Sequence, residues 1–188
     1  MNSLENWFCA SGLWRSLTEQ KWLPWVLEGI SLGEHVLEVG AGPGAATSAL
    51  AARTRRVTSL EYSHKFCAGL RAKFGAASVV QADASNLPFA SATFSAAIAI
   101  LVLHHLRSSE AQNLAFAEIN RVLKPGGVFV ALEIENSWLA CVLHIRSTFV
   151  PVSTDTVTTR LKSAGFSTIR VTSRAGGFRL LAQRALDG

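Results

Sequence analysis

From about residue 36 onward, apolar and polar positions fall into blocks that read alternately as strand and helix. Residues 36–39 form a short apolar run into glycines, which predicts a strand and a tight turn. The alanine- and leucine-rich stretch 45–53 predicts a helix, 57–60 a strand, 64–74 a helix and 78–81 a third strand. Residues 94–103 are apolar at nearly every position, as a strand covered on both faces requires. Ser108 or Ser109 can cap a helix running to Leu123 with Leu114, Phe116, Ile119, Val122 and Leu123 as its apolar stripe; Pro125-Gly126-Gly127 stops it. A fifth strand is expected over 128–134. Ser153 or Thr154 can cap a helix ending near Ala164-Gly165, and 168–173 with 178–183 flank Gly176-Gly177 as a hairpin.

Such alternation defines an α/β fold: a doubly wound, mostly parallel sheet with helices on both faces and an antiparallel C-terminal hairpin at one edge. Ligands of such sheets bind beyond the carboxyl ends of the strands, where the strand order reverses. Residues 1–188 read as one domain, with 31–188 as the core. Residues 1–30 differ, holding Trp7, Phe8, Trp14, Trp22 and Trp25. They are expected to form helices packed on the sheet, an aromatic cover over a pocket, or both.

Composition narrows the class. A chain of 188 residues, 49% hydrophobic and 16% charged, is apolar enough to bury a core. Its longest apolar run is too short to span a membrane. Glu5 precedes any basic residue and no continuous apolar segment opens the chain, so no secretory leader is expected. Cys9, Cys67 and Cys141 are scattered, which fits free thiols in a reducing, cytoplasmic setting. The net charge of +5 is concentrated in two stretches, Arg53 to Lys73 and Arg160 to Arg184. These are expected to be solvated helix faces and a guarded strand edge; nucleic acid is possible as a partner, but no aromatic RNA-binding signature accompanies the charge.

Candidate chemistry begins at Glu38-Val39-Gly40-Ala41-Gly42-Pro43-Gly44. Glycines here allow a sharp turn and close approach of a ligand to the backbone at a helix start. Glu61 follows Gly40 by 21 residues at the end of the second strand, where a carboxylate can accept both hydroxyls of a ribose. To this point a nicotinamide dinucleotide and S-adenosylmethionine fit equally. Pro43 after the second glycine is unusual for a pyrophosphate turn, and the Glu38 carboxylate suits an ammonium. Asp83, closing the third strand, is placed for an adenine amino group.

Together with these residues, Leu87-Pro88-Phe89, Leu103-His104-His105-Leu106, Arg121-Val122-Leu123-Lys124-Pro125-Gly126-Gly127 and Leu161-Lys162-Ser163-Ala164-Gly165-Phe166 resemble class I S-adenosylmethionine-dependent methyltransferases, in the type-11 group that includes quinone-biosynthesis enzymes. The resemblance covers roughly residues 30–185 and implies a Rossmann-like, seven-stranded fold. It implies that Gly40, Ala41, Gly42 and Gly44 hold the methionine portion and that Glu38 supports its ammonium. Glu61 would hold the ribose, Tyr62 would pack on adenine, and Asp83 with the Ala84 backbone would read the adenine edge. The backbone at Ile100 and Leu101 would meet the methionine end. One departure is Ser95, where the family often has aspartate.

The expected reaction is in-line transfer of a methyl group to a small-molecule acceptor, with S-adenosylhomocysteine as product. His104 and His105, at the end of the fourth strand, are the candidate bases, with His144 behind them. Trp14, Arg15 and Glu135 are candidate walls of the acceptor pocket. The histidines and carboxylates show no clustered ligand spacing, so no metal is expected. A monomer or homodimer is expected. The alternatives are an RNA methyltransferase, against which no Pro-Pro-Tyr or Pro-Pro-Phe motif appears, and a non-catalytic S-adenosylmethionine-binding protein.

Overall fold

The spacing of apolar residues resolves into a seven-stranded sheet in the order β3-β2-β1-β4-β5-β7-β6. The structure, a computed structural model, describes residues 3–174 and 176–186. Its strands are β1 (His35–Val39), β2 (Arg56–Glu61), β3 (Val79–Gln81), β4 (Phe94–Ile100), β5 (Leu123–Ile134), β6 (Phe166–Arg174) and β7 (Gly177–Arg184). The helices are α1 (Ser3–Ala10), α2 (Gly12–Leu17), α3 (Leu23–Val26), α4 (Thr47–Ala51), α5 (His64–Phe74), α6 (Ser109–Val122), α7 (Trp138–Leu143) and α8 (Thr154–Ser163). A π-helical turn over Thr18–Trp22 joins α2 to α3. Strands β1 to β5 pair in parallel, and β7 runs antiparallel between β5 and β6. The chain winds outward from β1 to β3, then returns to lay β4 on the other side of β1. The reversal therefore falls between β1 and β4.

Alternation along β1 splits the core into two layers. Leu37 and Val39 join α6 and α8 through Phe116, Ile119, Val157 and Leu161. Val36 faces the opposite way, toward Leu23, Val26 and Leu50. The aromatic N-terminal segment divides accordingly. Trp22 and Trp25 pack against this second layer, and Thr18, on the turn before them, is buried. Trp7 and Phe8 remain exposed. Packing on the sheet thus takes up the segment from Trp22 onward, while α1 and α2 precede it.

Several boundaries differ from the sequence pattern. Residues 101–103 do not continue β4, because Leu101 turns left-handed at φ +53° and Leu103–His105 is a 3₁₀ turn. The helix expected over 45–53 shrinks to α4, since the glycine turn occupies the residues before it. Strand β5 starts at Leu123, which pairs with Phe94, and a bulge carries Lys124 to Gly127 before pairing resumes at Val128. Gly127 fits that bulge because a Cβ would lie 2.8 Å from the Lys124 carbonyl. Leu114 is exposed; the buried stripe of α6 runs instead through Gln112, Ala115, Phe116, Ile119 and Val122.

Ser95, the departure from the family pattern, has a structural task. Its hydroxyl lies 2.7 Å from the Leu32 carbonyl and 2.9 Å from that of His35, and it accepts the His35 N–H at 3.0 Å. It ties the chain entering β1 to β4, with a hydrogen to donate that a carboxylate lacks. The basic C-terminal stretch is also less solvated than its composition suggests. Arg184 donates to the carbonyls of Asn120, Arg121 and Leu123, capping the end of α6. Arg160 donates to Asn113, Gln112 and the Ser109 carbonyl, and Arg179 to the Glu28 carbonyl. Arg170 and Arg174 do lie exposed on the edge strand β6, as expected of a guarded edge.

Candidate active site at the carboxyl ends of the strands

Beyond Val39 the chain turns through Gly40, Gly42 and Gly44, at φ +70°, +54° and +84°. The three glycines answer different constraints. A Cβ on Gly40 would sit 2.1 Å from Cγ2 of Val102, so this glycine permits the close approach of β1 and the end of β4. A Cβ on Gly44 would sit 2.9 Å from Leu70 and Phe74, so this one lets the turn pack on α5. A Cβ on Gly42 would meet nothing within 4 Å. Gly42 is needed for its left-handed backbone, and the space before it is open.

Glu61, at the end of β2, is buried and clamps the turn. Its Oε2 accepts the Gly42 N–H at 2.8 Å and its Oε1 the Ser63 N–H at 2.7 Å. Spacing alone gave the position of this carboxylate but not these backbone partners. Each oxygen keeps a further lone pair, so the group can still accept two hydroxyls. Glu61→Ala is expected to weaken S-adenosylhomocysteine binding by about tenfold to a hundredfold, since hydrogen bonds to a charged group contribute roughly 1.5–3 kcal/mol. Calorimetry on the two folded proteins checks this.

Glu38 lies deeper. Its Oε2 accepts hydroxyls from Thr47 of α4 at 2.7 Å and Ser59 of β2 at 2.8 Å. Burial raises its carboxyl above the ordinary range, the two hydroxyls work against this, and the Glu61 charge raises it further. A raised native value means that the folded state holds a proton the unfolded chain releases. The group's contribution to stability is therefore full below the ordinary value of 4.5 and declines as pH rises through the native value. Glu38→Gln keeps an acceptor for both hydroxyls and removes the charge. Its ligand-free form is expected to melt above wild type at about pH 8, with the gap closing as pH falls toward the ordinary glutamate range. Thermal melts across pH check this.

A shallow hollow of about 430 Å³ lies beside the ends of β2 and β3, lined by Tyr62, Gln81, Ala82 and Asp83. Tyr62 is exposed there and its hydroxyl accepts from Arg107 at 3.1 Å. Asp83 Oδ1 accepts the Ser85 N–H at 2.8 Å and the Ser85 hydroxyl at 2.7 Å, which fixes the carboxylate at the rim. Ala84 is buried behind it. Across the turn, Ile100 ends β4 and the Leu101 N–H donates to the Leu132 carbonyl at 2.8 Å.

The end of β4 is organised by a residue on β5. Glu133 is fully buried; its Oε1 accepts the N–H groups of Val102 at 3.1 Å and Leu103 at 2.8 Å, and its Oε2 lies 2.5 Å from His104 Nδ1. His104 is buried and His105 half-buried, with His105 Nδ1 3.1 Å from the Thr148 carbonyl. His144, which follows α7, meets both: its ring centroid lies 5.0 Å from that of His104 and 5.3 Å from that of His105. The expectation of no clustered ligand set therefore needs correction. These three imidazoles each bring a nitrogen, and the nitrogens lie within 4.8 Å of one another. His144 comes 39 residues after His105, so local spacing could not reveal the cluster. Gln112 was also missed. Buried on α6, it donates to the carbonyls of Leu103 and Val150, and Val150 N–H donates to the His104 carbonyl. Of the expected pocket walls, Trp14 lies on α2 against Phe8, Arg15 is exposed on the same helix, and Glu135 is half-buried just past β5.

The family model described as a methyltransferase domain matches residues 37–131, half of the chain. The chain belongs to that family and is a class I S-adenosylmethionine-dependent methyltransferase of the type-11 group, with S-adenosylmethionine as its cofactor. It is 29% identical over 158 residues to an uncharacterized methyltransferase of Synechocystis, covering 79% of this chain and 74% of that one. It is 33% identical over 110 residues to the ubiquinone/menaquinone biosynthesis C-methyltransferase of Rubrivivax gelatinosus, covering 57% of this chain but only 43% of that enzyme. In fold it resembles a methyltransferase from Haloferax volcanii solved with its activator protein, at TM-score 0.79 and 17% identity, covering 98% and 99% of the two chains.

Proposed function

We propose that this chain transfers the methyl group of S-adenosylmethionine to a small-molecule acceptor by in-line displacement. The observation that carries this reading is the convergence, around the β1/β4 reversal, of the open space before Gly42, the clamped Glu61, the hollow at Tyr62 and Asp83, and the Glu133–His104 pair. The cofactor supplies an electrophilic methyl on its sulfonium. Glu61 receives the ribose hydroxyls, Tyr62 covers the adenine face, and Asp83 with the Ala84 backbone accepts and donates at its edge. The open backbone of Gly40, Ala41, Gly42 and Gly44, with Ile100 and Leu101 opposite, leaves room for the methionine portion. Glu38, buried behind the turn, braces it through Thr47 and Ser59 and offers negative charge toward the ammonium.

Holding the two reactants in line can itself contribute about 7–11 kcal/mol toward the barrier. At the acceptor end, Glu133 holds the Nδ1–H of His104, so Nε2 carries the lone pair that an acceptor proton would meet. His105 stands beside it. Trp14, Arg15 and Glu135 are proposed to close the acceptor side. A relative named for quinone biosynthesis supports a small-molecule acceptor.

The test is a thermal shift with S-adenosylhomocysteine and with NAD, followed by labelled methyl transfer into small-molecule and RNA fractions of a cell extract. At a hundredfold excess over its dissociation constant, S-adenosylhomocysteine is expected to stabilise the fold by about 2.7 kcal/mol. Label is expected in the small-molecule fraction. Stabilisation by NAD alone, or label confined to RNA, overturns the proposal.

A further inference from the structure

We infer that His104, His105 and His144 form a binding site for a divalent transition metal, of which zinc is the type, at the acceptor end of the sheet. Three facts support it. The three imidazoles, brought from β4's exit and from the segment after α7, place one nitrogen each within 4.8 Å of one another. Two of the rings are held from behind in the manner of metal-binding histidines, which pass their other N–H to a carboxylate or a backbone carbonyl. His104 Nδ1 faces the buried Glu133 carboxylate, and His105 Nδ1 faces the Thr148 carbonyl. Both contacts place the proton on Nδ1 and set Nε2 as the coordinating atom. The donor set is the third fact. Three neutral imidazoles suit zinc and its neighbours, whereas magnesium and calcium require oxygen ligands.

Two nitrogens on one tetrahedral zinc stand about 3.4 Å apart, given bonds of about 2.0–2.1 Å. No pair therefore needs to close by more than about 1.4 Å on metal entry. His105 and His144 are the half-buried members, His105 held by the Thr148 carbonyl and His144 stacked on Phe149; His104 is fixed by Glu133 and serves as the anchor. Three protein ligands leave the fourth position for water or an oxygen of the acceptor, as in zinc sites that perform chemistry. In that role, which rests on the methyl-transfer reading, an acceptor hydroxyl in the fourth position would lose its proton to bulk water and take the methyl as a metal-bound alkoxide, and His104 Nε2 would bind the metal instead of taking the proton. Metal binding itself does not rest on that reading.

The experiment uses the full chain stripped with a chelator, titrated with zinc by calorimetry and with cobalt(II) by visible absorption, and separately with S-adenosylhomocysteine. One zinc per chain and a cobalt band of tetrahedral type are expected. His105→Ala and His144→Ala are each expected to weaken zinc binding by at least about tenfold, and Glu133→Gln by about tenfold to a hundredfold. The amide of Glu133→Gln would donate to His104 Nδ1, moving the ring proton onto the coordinating nitrogen. Circular dichroism establishes that each variant is folded. His144→Ala, whose ring lies outside the cofactor cradle, is expected to keep its affinity for S-adenosylhomocysteine. Absence of stoichiometric zinc in the wild type, or equal zinc affinity in the histidine variants, overturns the site. Loss of S-adenosylhomocysteine binding in the wild type with zinc binding intact would overturn the methyltransferase reading instead.

Discussion

Gly42→Val is expected to lose affinity for S-adenosylhomocysteine by roughly a hundredfold or more, about 2.8 kcal/mol, while the domain stays folded. The reason is the direction in which a side chain at this position would grow. A Cβ there meets no protein atom within 4 Å, so the added bulk enters the open space that the methionine portion is proposed to fill. A branched residue also resists φ +54°, and strain of this kind costs about 1–3 kcal/mol. That is enough to lower the melting temperature without unfolding a chain of this size. Gly40→Val supplies the contrast, because its Cβ would collide with Val102 and force β1 from β4. Calorimetry with S-adenosylhomocysteine and urea unfolding on both variants check the pair. Unchanged affinity in Gly42→Val would move the methionine site elsewhere.

Glu133→Ala should be the most destabilising of the polar substitutions at this end of the sheet. It leaves the N–H groups of Val102 and Leu103 and the Nδ1 of His104 without their acceptor, the last two in a fully buried place. Each buried donor left unsatisfied costs about 1–3 kcal/mol, and partial relaxation brings the expected total to about 3–5 kcal/mol. Urea unfolding measures this directly. Glu133→Gln, which keeps an acceptor for the two backbone groups, is expected to lose less. A Glu133→Ala loss below about 1 kcal/mol would mean that water satisfies the exit of β4.

The sequence was most informative where local chemistry decides structure. Helix α5 has the bounds its pattern predicts because Ser63 caps it and Gly75 ends it. Glu61 was found from spacing, because a strand of fixed rise places its carboxylate level with the glycine turn. Local patterns failed where a distant partner decides. The apolar run through Leu103 looks like continuous strand, yet β4 stops at Ile100, where Leu101 turns left-handed and Glu133 of β5 captures the amides of Val102 and Leu103. Leu114 matches the helical period yet faces solvent, and buried Gln112 takes its place because Leu103 and Val150 supply carbonyls across the fold. Likewise, nothing near His104 in the chain announces His144; the topology makes the cluster.

The strand order also has a consequence for biosynthesis. Strand β7 is the last of the seven to be made, yet it lies between β5 and β6. Among the described residues, strand β6, finished just before it, has no sheet neighbour other than β7. A growing chain therefore carries β6 without a partner, and with β5 open on its outer side, until β7 arrives and joins the two. Open strand edges in incomplete chains attract other chains. Arg170 and Arg174 place exposed charge on β6, the kind of charge that discourages such edge pairing. Arg184, at the end of β7, then fastens the new strand to the carbonyls at the end of α6.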